Sequence, residues 1–78
     1  MTSYRVYRDC PPRKRQYIRR TVHAWALWHE DVTLALQFSR EDAERWAKSY
    51  RHRSHVGYRQ YSQPRAPIGV YDIEEVVP

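Results

Sequence analysis

The most regular hydrophobic pattern lies in the middle of the chain. Ala43, Trp46, Ala47 and Tyr50 recur at i, i+3, i+4 and i+7. That spacing puts them on one stripe of a helix. Ser39 stands before the stripe, where its hydroxyl can accept from the amide three residues on, and Asp42 occupies the place that Glu usually takes in a capping box. Phe38 and Ala43 are spaced as a hydrophobic staple. Glu41 with Arg45, and Glu44 with Lys48, are i,i+4 pairs in the favourable order. Acids come early and Lys48, Arg51 and Arg53 come late, as the helix dipole favours. These signals predict a helix over residues 39–52 that ends before Gly57.

Upstream of the helix the period changes to two. Val32, Leu34, Leu36 and Phe38 alternate onto one face. In the preceding run His23, Trp25, Leu27 and His29 share one face, and Val22, Ala24, Ala26 and Trp28 the other. The pattern predicts a hairpin turning at Glu30-Asp31, with Leu27 opposite Leu34, Trp25 opposite Leu36, His23 opposite Phe38 and His29 opposite Val32. A slip of one residue would mix the faces. The predicted core is therefore Trp25, Leu27, Leu34, Leu36 and Phe38 against the helix stripe. The opposite face, Ala24, Ala26, Thr33, Ala35 and Gln37 around Trp28, is flat and nearly uncharged.

Residues 4–8 alternate and read as a short strand. Residues 9–15 read as a loop, because Pro11 and Pro12 cannot join a central ladder. Residues 17–21 lead into the long strand. Unbroken alternation would send Arg19 and Thr21 to the core, so a bulge or a late strand start is expected near residue 20. Residues 56–61 read as a strand, 63–67 as a turn and 68–76 as a final strand. The order is β-β-β-α-β-β. It predicts an α+β fold, a single antiparallel sheet of four to five strands with one helix on one face, in one domain over residues 1–78.

Composition narrows the function classes. Seventy-eight residues leave little chain to build a substrate cleft, but 41% hydrophobic and 14% aromatic content is enough to form a core. The longest apolar run, residues 24–28, is far short of the roughly 20 residues that span a bilayer. No apolar stretch follows the N-terminus as in a secretory signal. Cys10 is the only cysteine. It excludes an internal disulfide and fits a reducing cytoplasm. A cytoplasmic protein with no membrane partner is expected.

The candidate chemistry is sparse. His52 and His55 have i,i+3 spacing, but no further ligand pattern accompanies them, and a solvated helix end is the plainer reading. His29-Glu30-Asp31 is an acid–base cluster at a turn, where no pocket shifts pKa values. Cys10 lies near Arg13-Lys14-Arg15, which would favour the thiolate. A nucleophile also needs a base and an oxyanion site. Gly57 and Gly69 are the only glycines, too few for a phosphate loop. No enzyme, metal site or cofactor is expected.

Charge carries the stronger signal. The net charge of +5 is distributed as +6 over residues 1–20, −2 over 21–39, +4 over 40–65 and −3 over 66–78. Twelve of the fourteen cations are arginine, the residue suited to bidentate phosphate or carboxylate contacts and to stacking on aromatics. A GC-rich coding sequence would produce the same bias. Arg13, Lys14, Arg15, Arg19 and Arg20 crowd around Tyr17, and such a run attracts phosphates through counterion release. Tyr7, Tyr17, Tyr58 and Tyr61 interleave with Arg8, Arg19, Arg20 and Arg59, an arrangement suited to base stacking on a sheet. The plainer reading is a solvated loop with tyrosines in strand positions. Arg51 and Arg53 add cations at the helix end. Trp28, central on the small-residue face, marks either an interface, a homodimer among the options, or a face that another element covers.

The run Phe38-Ser39-Arg40-Glu41-Asp42-Ala43-Glu44-Arg45-Trp46-Ala47, behind an alternating hairpin and before Tyr71-Asp72-Ile73-Glu74-Glu75-Val76, resembles small proteins of phages and mobile elements of the anti-CRISPR type. The resemblance spans about residues 22–78. It implies an inhibitor that works by binding, often by occupying a nucleic-acid path on an effector complex. Many such proteins are acidic nucleic-acid mimics. A basic chain fits better on a nucleoprotein or on an acidic protein surface. The leading expectation is a non-enzymatic binding protein that docks on a protein or nucleoprotein partner through Arg13, Lys14, Arg15, Tyr17, Arg19, Arg20, Trp28, Arg51, Arg53 and Arg59. The alternative is an autonomous RNA or single-stranded DNA-binding module. A small hydrolase or nuclease using Cys10, His29 and Glu30 is a third and weaker reading.

Overall fold

A computed structural model describes residues 2–56 and 66–77. Its elements are β1 (Ser3–Asp9), β2 (Gln16–Val22), β3 (Trp25–His29), a short 3-10 turn (Val32–Leu34), α1 (Arg40–Val56) and β4 (Val70–Val76). The four strands form one open antiparallel sheet in the order β3-β2-β1-β4, and α1 packs against it. This is the α+β arrangement that the pattern predicts. Of the expected strand at 56–61, Val56 ends the helix, and residues 57–61 lie outside the described residues, as do 63–65 of the expected turn.

The helix forms where its local signals put it. Ser39 Oγ accepts from the Asp42 amide at 3.2 Å, and the Ala43 amide donates to the Ser39 carbonyl at 2.9 Å. Ala43, Ala47 and Tyr50 are buried and Trp46 is half-buried. Arg45 pairs with Glu41 and Asp42. Glu44 takes Arg40 as its partner at 3.1 Å, not Lys48. The helix runs one turn further than residue 52.

β1 lies between β4 and β2. It pairs with β4 along its whole length, from Ser3 opposite Val76 to Asp9 opposite Val70. It meets β2 only at Tyr7 opposite Tyr17 and Arg8 opposite Gln16. Where the two part, extended residues 36–38 take up the backbone groups. The Leu36 amide donates to the Ile18 carbonyl at 2.8 Å, and Tyr4 and Phe38 exchange bonds of 2.8 and 2.7 Å. Backbone donors and acceptors inside a fold need such partners.

Of the two expectations near residue 20, the bulge is present and the late strand start is not, since β2 begins at Gln16. β2 and β3 pair at Ile18 and Trp28, and next at Arg20 and Leu27, so Arg19 is unpaired. The extra residue resets the alternation: Ile18 is buried, Thr21 lies opposite buried Ala26, and Arg19 and Arg20 are exposed.

The hairpin differs from expectation. The chain turns at His23-Ala24, closed by Val22 opposite Trp25, with His23 at φ 54°. Histidine is among the non-glycine residues that tolerate this region best. β3 therefore pairs with β2 and not with residues 32–38. Glu30-Asp31 is a corner: the Asp31 carboxylate accepts from Thr33 N and Oγ1 at 2.9 and 2.6 Å and starts the 3-10 turn. The faces of β3 are reversed as a result. Ala26 and Trp28 enter the core, while Trp25, Leu27, Leu34 and Leu36 are exposed. Of the small-residue face only Ala26 and Trp28 turn inward, where Tyr50 of the helix meets them, while Ala24, Thr33 and Gln37 are exposed.

The core is then Val6, Ile18, Ala26, Ala43, Ala47, Tyr50 and Tyr71, with Trp28, Trp46, Phe38 and Ile73 packed around it. Rings on opposite outer strands meet across it: Trp28 and Tyr71 have centroids 5.8 Å apart. Gly69 fixes how β4 enters. A Cβ there would press on the Asp9 carbonyl oxygen and lie 2.6 Å from Cys10 Sγ and 2.9 Å from Cys10 Cα. Backbone cannot yield as a flexible side chain can, so Gly69→Ala should cost about 1–3 kcal/mol, as overpacking does. Urea unfolding of the variant checks this.

Candidate basic interface

The predicted contact residues do not gather on one surface. Arg13 and Lys14 are exposed on the β1–β2 loop, whose turn is held by the Arg13 amide on the Cys10 carbonyl at 3.0 Å. Arg15 is committed elsewhere. Its Nε and Nη2 donate to the two Asp9 oxygens, each at 2.8 Å, and its guanidinium lies 4.0 Å from the Tyr7 ring centroid. The bonded Arg15 holds the Asp9 carboxyl below its ordinary range, and Asp9 raises Arg15 in turn. Tyr17, opposite Tyr7, lies under the Arg5 guanidinium at 5.6 Å, and Arg5 pairs with Glu74 at 3.0 Å. Burial, then the charge of Asp72, pushes the Tyr7 phenol upward. The sheet face away from the helix is thus a mixed network in which arginines cover the tyrosine rings. A base would have to displace them in order to stack there.

Arg19 and Arg20 are exposed at the bulge. Trp28 is not the centre of an exposed patch. Its ring meets Tyr50 edge-on at 5.2 Å, and the buried Arg8 guanidinium lies 4.6 Å from its centroid. Arg8 has a neutral partner, Gln16 Oε1 at 2.8 Å. Arg59 lies outside the described residues.

The helix end brings a different set together. Arg51 Nε donates to the Tyr71 carbonyl at 2.7 Å, and its Nη2 pairs with Asp72 at 3.3 Å. Arg53 lies between two rings, Trp25 at 4.7 Å and Tyr50 at 4.6 Å, and its Nη2 donates to the Ala24 carbonyl at 2.8 Å. Its Nη1 is buried and has no partner among the described residues. With the Tyr50 hydroxyl accepting from the Ala26 amide at 2.8 Å, the helix reaches the backbone of both outer strands.

Arg53 also belongs to a row that the sequence reading passed over. Arg45, Lys48, Ser49, His52 and Arg53 line one shallow depression of about 450 Å³ on the helix. Arg45, Ser49 and Arg53 continue with His23, Ala24 and Trp46 into a cleft of about 170 Å³ between the helix and the β2–β3 turn. The spacing i, i+3, i+4, i+7, i+8 is present in the sequence, where Arg45 and Lys48 also stand as i,i+4 partners for Glu41 and Glu44. Among the described residues, neither depression has a carboxylate in its lining.

Cys10 is buried, 3.7 Å from the Tyr71 hydroxyl, and His29 Nδ1 accepts from the Asp31 amide at 2.9 Å. Among the described residues no three His, Cys, Asp or Glu side chains come together as a metal site would need, and no helix is long and apolar enough to cross a membrane. Comparison with protein-family models, curated proteins and solved structures gives no match.

Proposed function

We propose that this is a small non-enzymatic binding protein that docks on a protein or nucleoprotein effector, as a phage-type inhibitor of the anti-CRISPR kind would. The observation that supports this reading is the row of cations on α1, Arg45, Lys48 and Arg53, beside the half-buried Trp46. Clustered cations next to an aromatic favour an anionic partner by counterion release and by stacking.

The alternative of an autonomous RNA binder that uses the sheet is less favoured, since Arg15 and Arg5 already cover Tyr7 and Tyr17. Size-exclusion chromatography with purified CRISPR effector ribonucleoproteins, read beside target-DNA cleavage, tests the proposal. Co-elution with an effector and loss of its cleavage are expected. A protein that elutes alone from every effector and leaves cleavage unchanged would overturn the inhibitor reading.

A further inference from the structure

We infer that the cleft between the β2–β3 turn and α1 is a phosphodiester site for a single-stranded nucleic-acid segment, with Trp46 as its stacking surface. The inference deepens the docking proposal and rests on it, because it names the part of a nucleoprotein that this surface takes.

Three observations meet at the cleft. The Arg53 guanidinium is held in place before any ligand arrives, by two rings and by the Ala24 carbonyl. Arg53 lines the cleft, and a cation held in one place suits an anionic oxygen, since a charge-assisted bond forms with little further ordering.

The second observation is the row that leads to it. Positions 45 to 53 cover about 12 Å of helix at 1.5 Å per residue. Lys48 and His52 make no ion pair among the described residues, and the acids that engage Arg45 lie at the far end of the row. A backbone laid along the row meets cations or donors at each turn, with the Ser49 hydroxyl between them.

The third is the aromatic wall. Trp46 stacks toward Tyr50 at 6.3 Å and 26°, so that its contact with the core is on the Tyr50 side. It also lines the cleft together with His23. A base can stack on an aromatic in this position whatever its identity, which is how single strands are held without sequence readout. A cleft of about 170 Å³ has room for a phosphate and part of a nucleoside, and only a strand whose bases are unpaired can lay one of them on Trp46. A run of acidic side chains would satisfy the cations but brings no ring to stack on Trp46.

Fluorescence anisotropy with labelled oligothymidylate and oligouridylate of about 12 nucleotides tests the site, from ~50 to ~200 mM salt. Three phosphate contacts on a single strand predict a slope of log K against log salt of about −2. Lys48→Glu combined with His52→Glu changes two exposed residues and should weaken binding about tenfold or more at the low-salt end, with a shallower slope. Arg13→Glu combined with Lys14→Glu, far along the chain on the loop, should change affinity much less, and far-UV circular dichroism checks that both pairs fold. The inference is overturned if neither oligonucleotide binds, or if the loop pair abolishes binding and the helix pair does not. It is also overturned if oligoglutamate binds as tightly as the oligonucleotides with the same dependence on the helix pair. Loss of oligonucleotide binding with effector co-elution intact would sink this site alone. Oligonucleotide binding without any effector complex would sink the docking proposal instead.

Discussion

Trp28→Ala is expected to unfold most of the protein at room temperature, whereas Leu27→Ala should leave it folded. The two residues are neighbours on β3 and point to opposite faces. Trp28 packs edge-on against Tyr50 and Tyr71, carries the Arg8 guanidinium on its ring and lies opposite buried Ile18. Removing such a side chain costs about 3–5 kcal/mol. A chain of this length without disulfides has a core that supplies roughly 3–5 kcal/mol in total. Leu27 is 51% exposed, and surface changes of this kind stay within about 0.5 kcal/mol. Urea unfolding followed by far-UV circular dichroism measures both. The sequence pattern alone predicts the reverse order, with Leu27 in the core and Trp28 outside. If Leu27→Ala proved the more damaging, the alternation of β3 would be the opposite of that described.

That contrast shows where local pattern is sufficient and where it is not. The helix is legible because its cap, staple and apolar stripe all lie within a dozen residues of one another, and none needs a distant partner. An irregularity near residue 20 is legible because unbroken alternation would carry an arginine inward, but the residues differ: from buried Ile18 it is Arg20 that the bulge keeps out, and Thr21 comes to lie opposite buried Ala26. β3 offers no such conflict. Both of its faces carry apolar side chains, and choosing the larger set, Trp25 and Leu27, ignores what the helix needs. Tyr50 accepts from the Ala26 amide and meets the Trp28 ring, and that contact is visible only once the helix is in place. The turn at His23-Ala24 has neither Gly nor Asn, so nothing local announces it, and missing it changed the partner of residues 25–29. The same limit applies to the candidate interface. Blocks of cations can be counted in a sequence, but Arg15 is neutralised by Asp9 and seated on Tyr7, which only the strand geometry reveals. The row from Arg45 to Arg53 was present as a helical spacing. Its meaning depends on the β2–β3 turn, which supplies His23 and the Ala24 carbonyl.

Tyr71 should show both the strongest dependence of the fold on one β4 residue and a distinctive response to alkali. It is 1% exposed, stacks on Tyr50 at 5.9 Å and meets Trp28 at 5.8 Å. Tyr71→Ala should cost about 3–5 kcal/mol, enough to abolish the unfolding transition. Tyr71→Phe keeps the ring and loses the 2.6 Å bond that the hydroxyl donates to the Pro67 carbonyl. A single hydrogen bond of this kind contributes about 0.5–1.5 kcal/mol, so this variant should fold. Burial raises the Tyr71 phenol well above its ordinary value, and the Cys10 thiol beside it raises it further. In the unfolded chain the phenol titrates near pH ~10. Below that pH both states keep the proton, and the group adds no pH dependence. Above it the unfolded chain loses the proton while the folded one retains it, so stability falls as pH rises toward the folded value. Tyr7 is also raised and contributes in the same direction, but it is present in both proteins and cancels in the comparison. Melting temperatures of the wild type should therefore fall more steeply above pH ~10 than those of Tyr71→Phe. The hydroxyl that stabilises the fold at neutral pH becomes the group through which alkali undoes it, and parallel melting curves for the two proteins would show that Tyr71 is not the residue responsible.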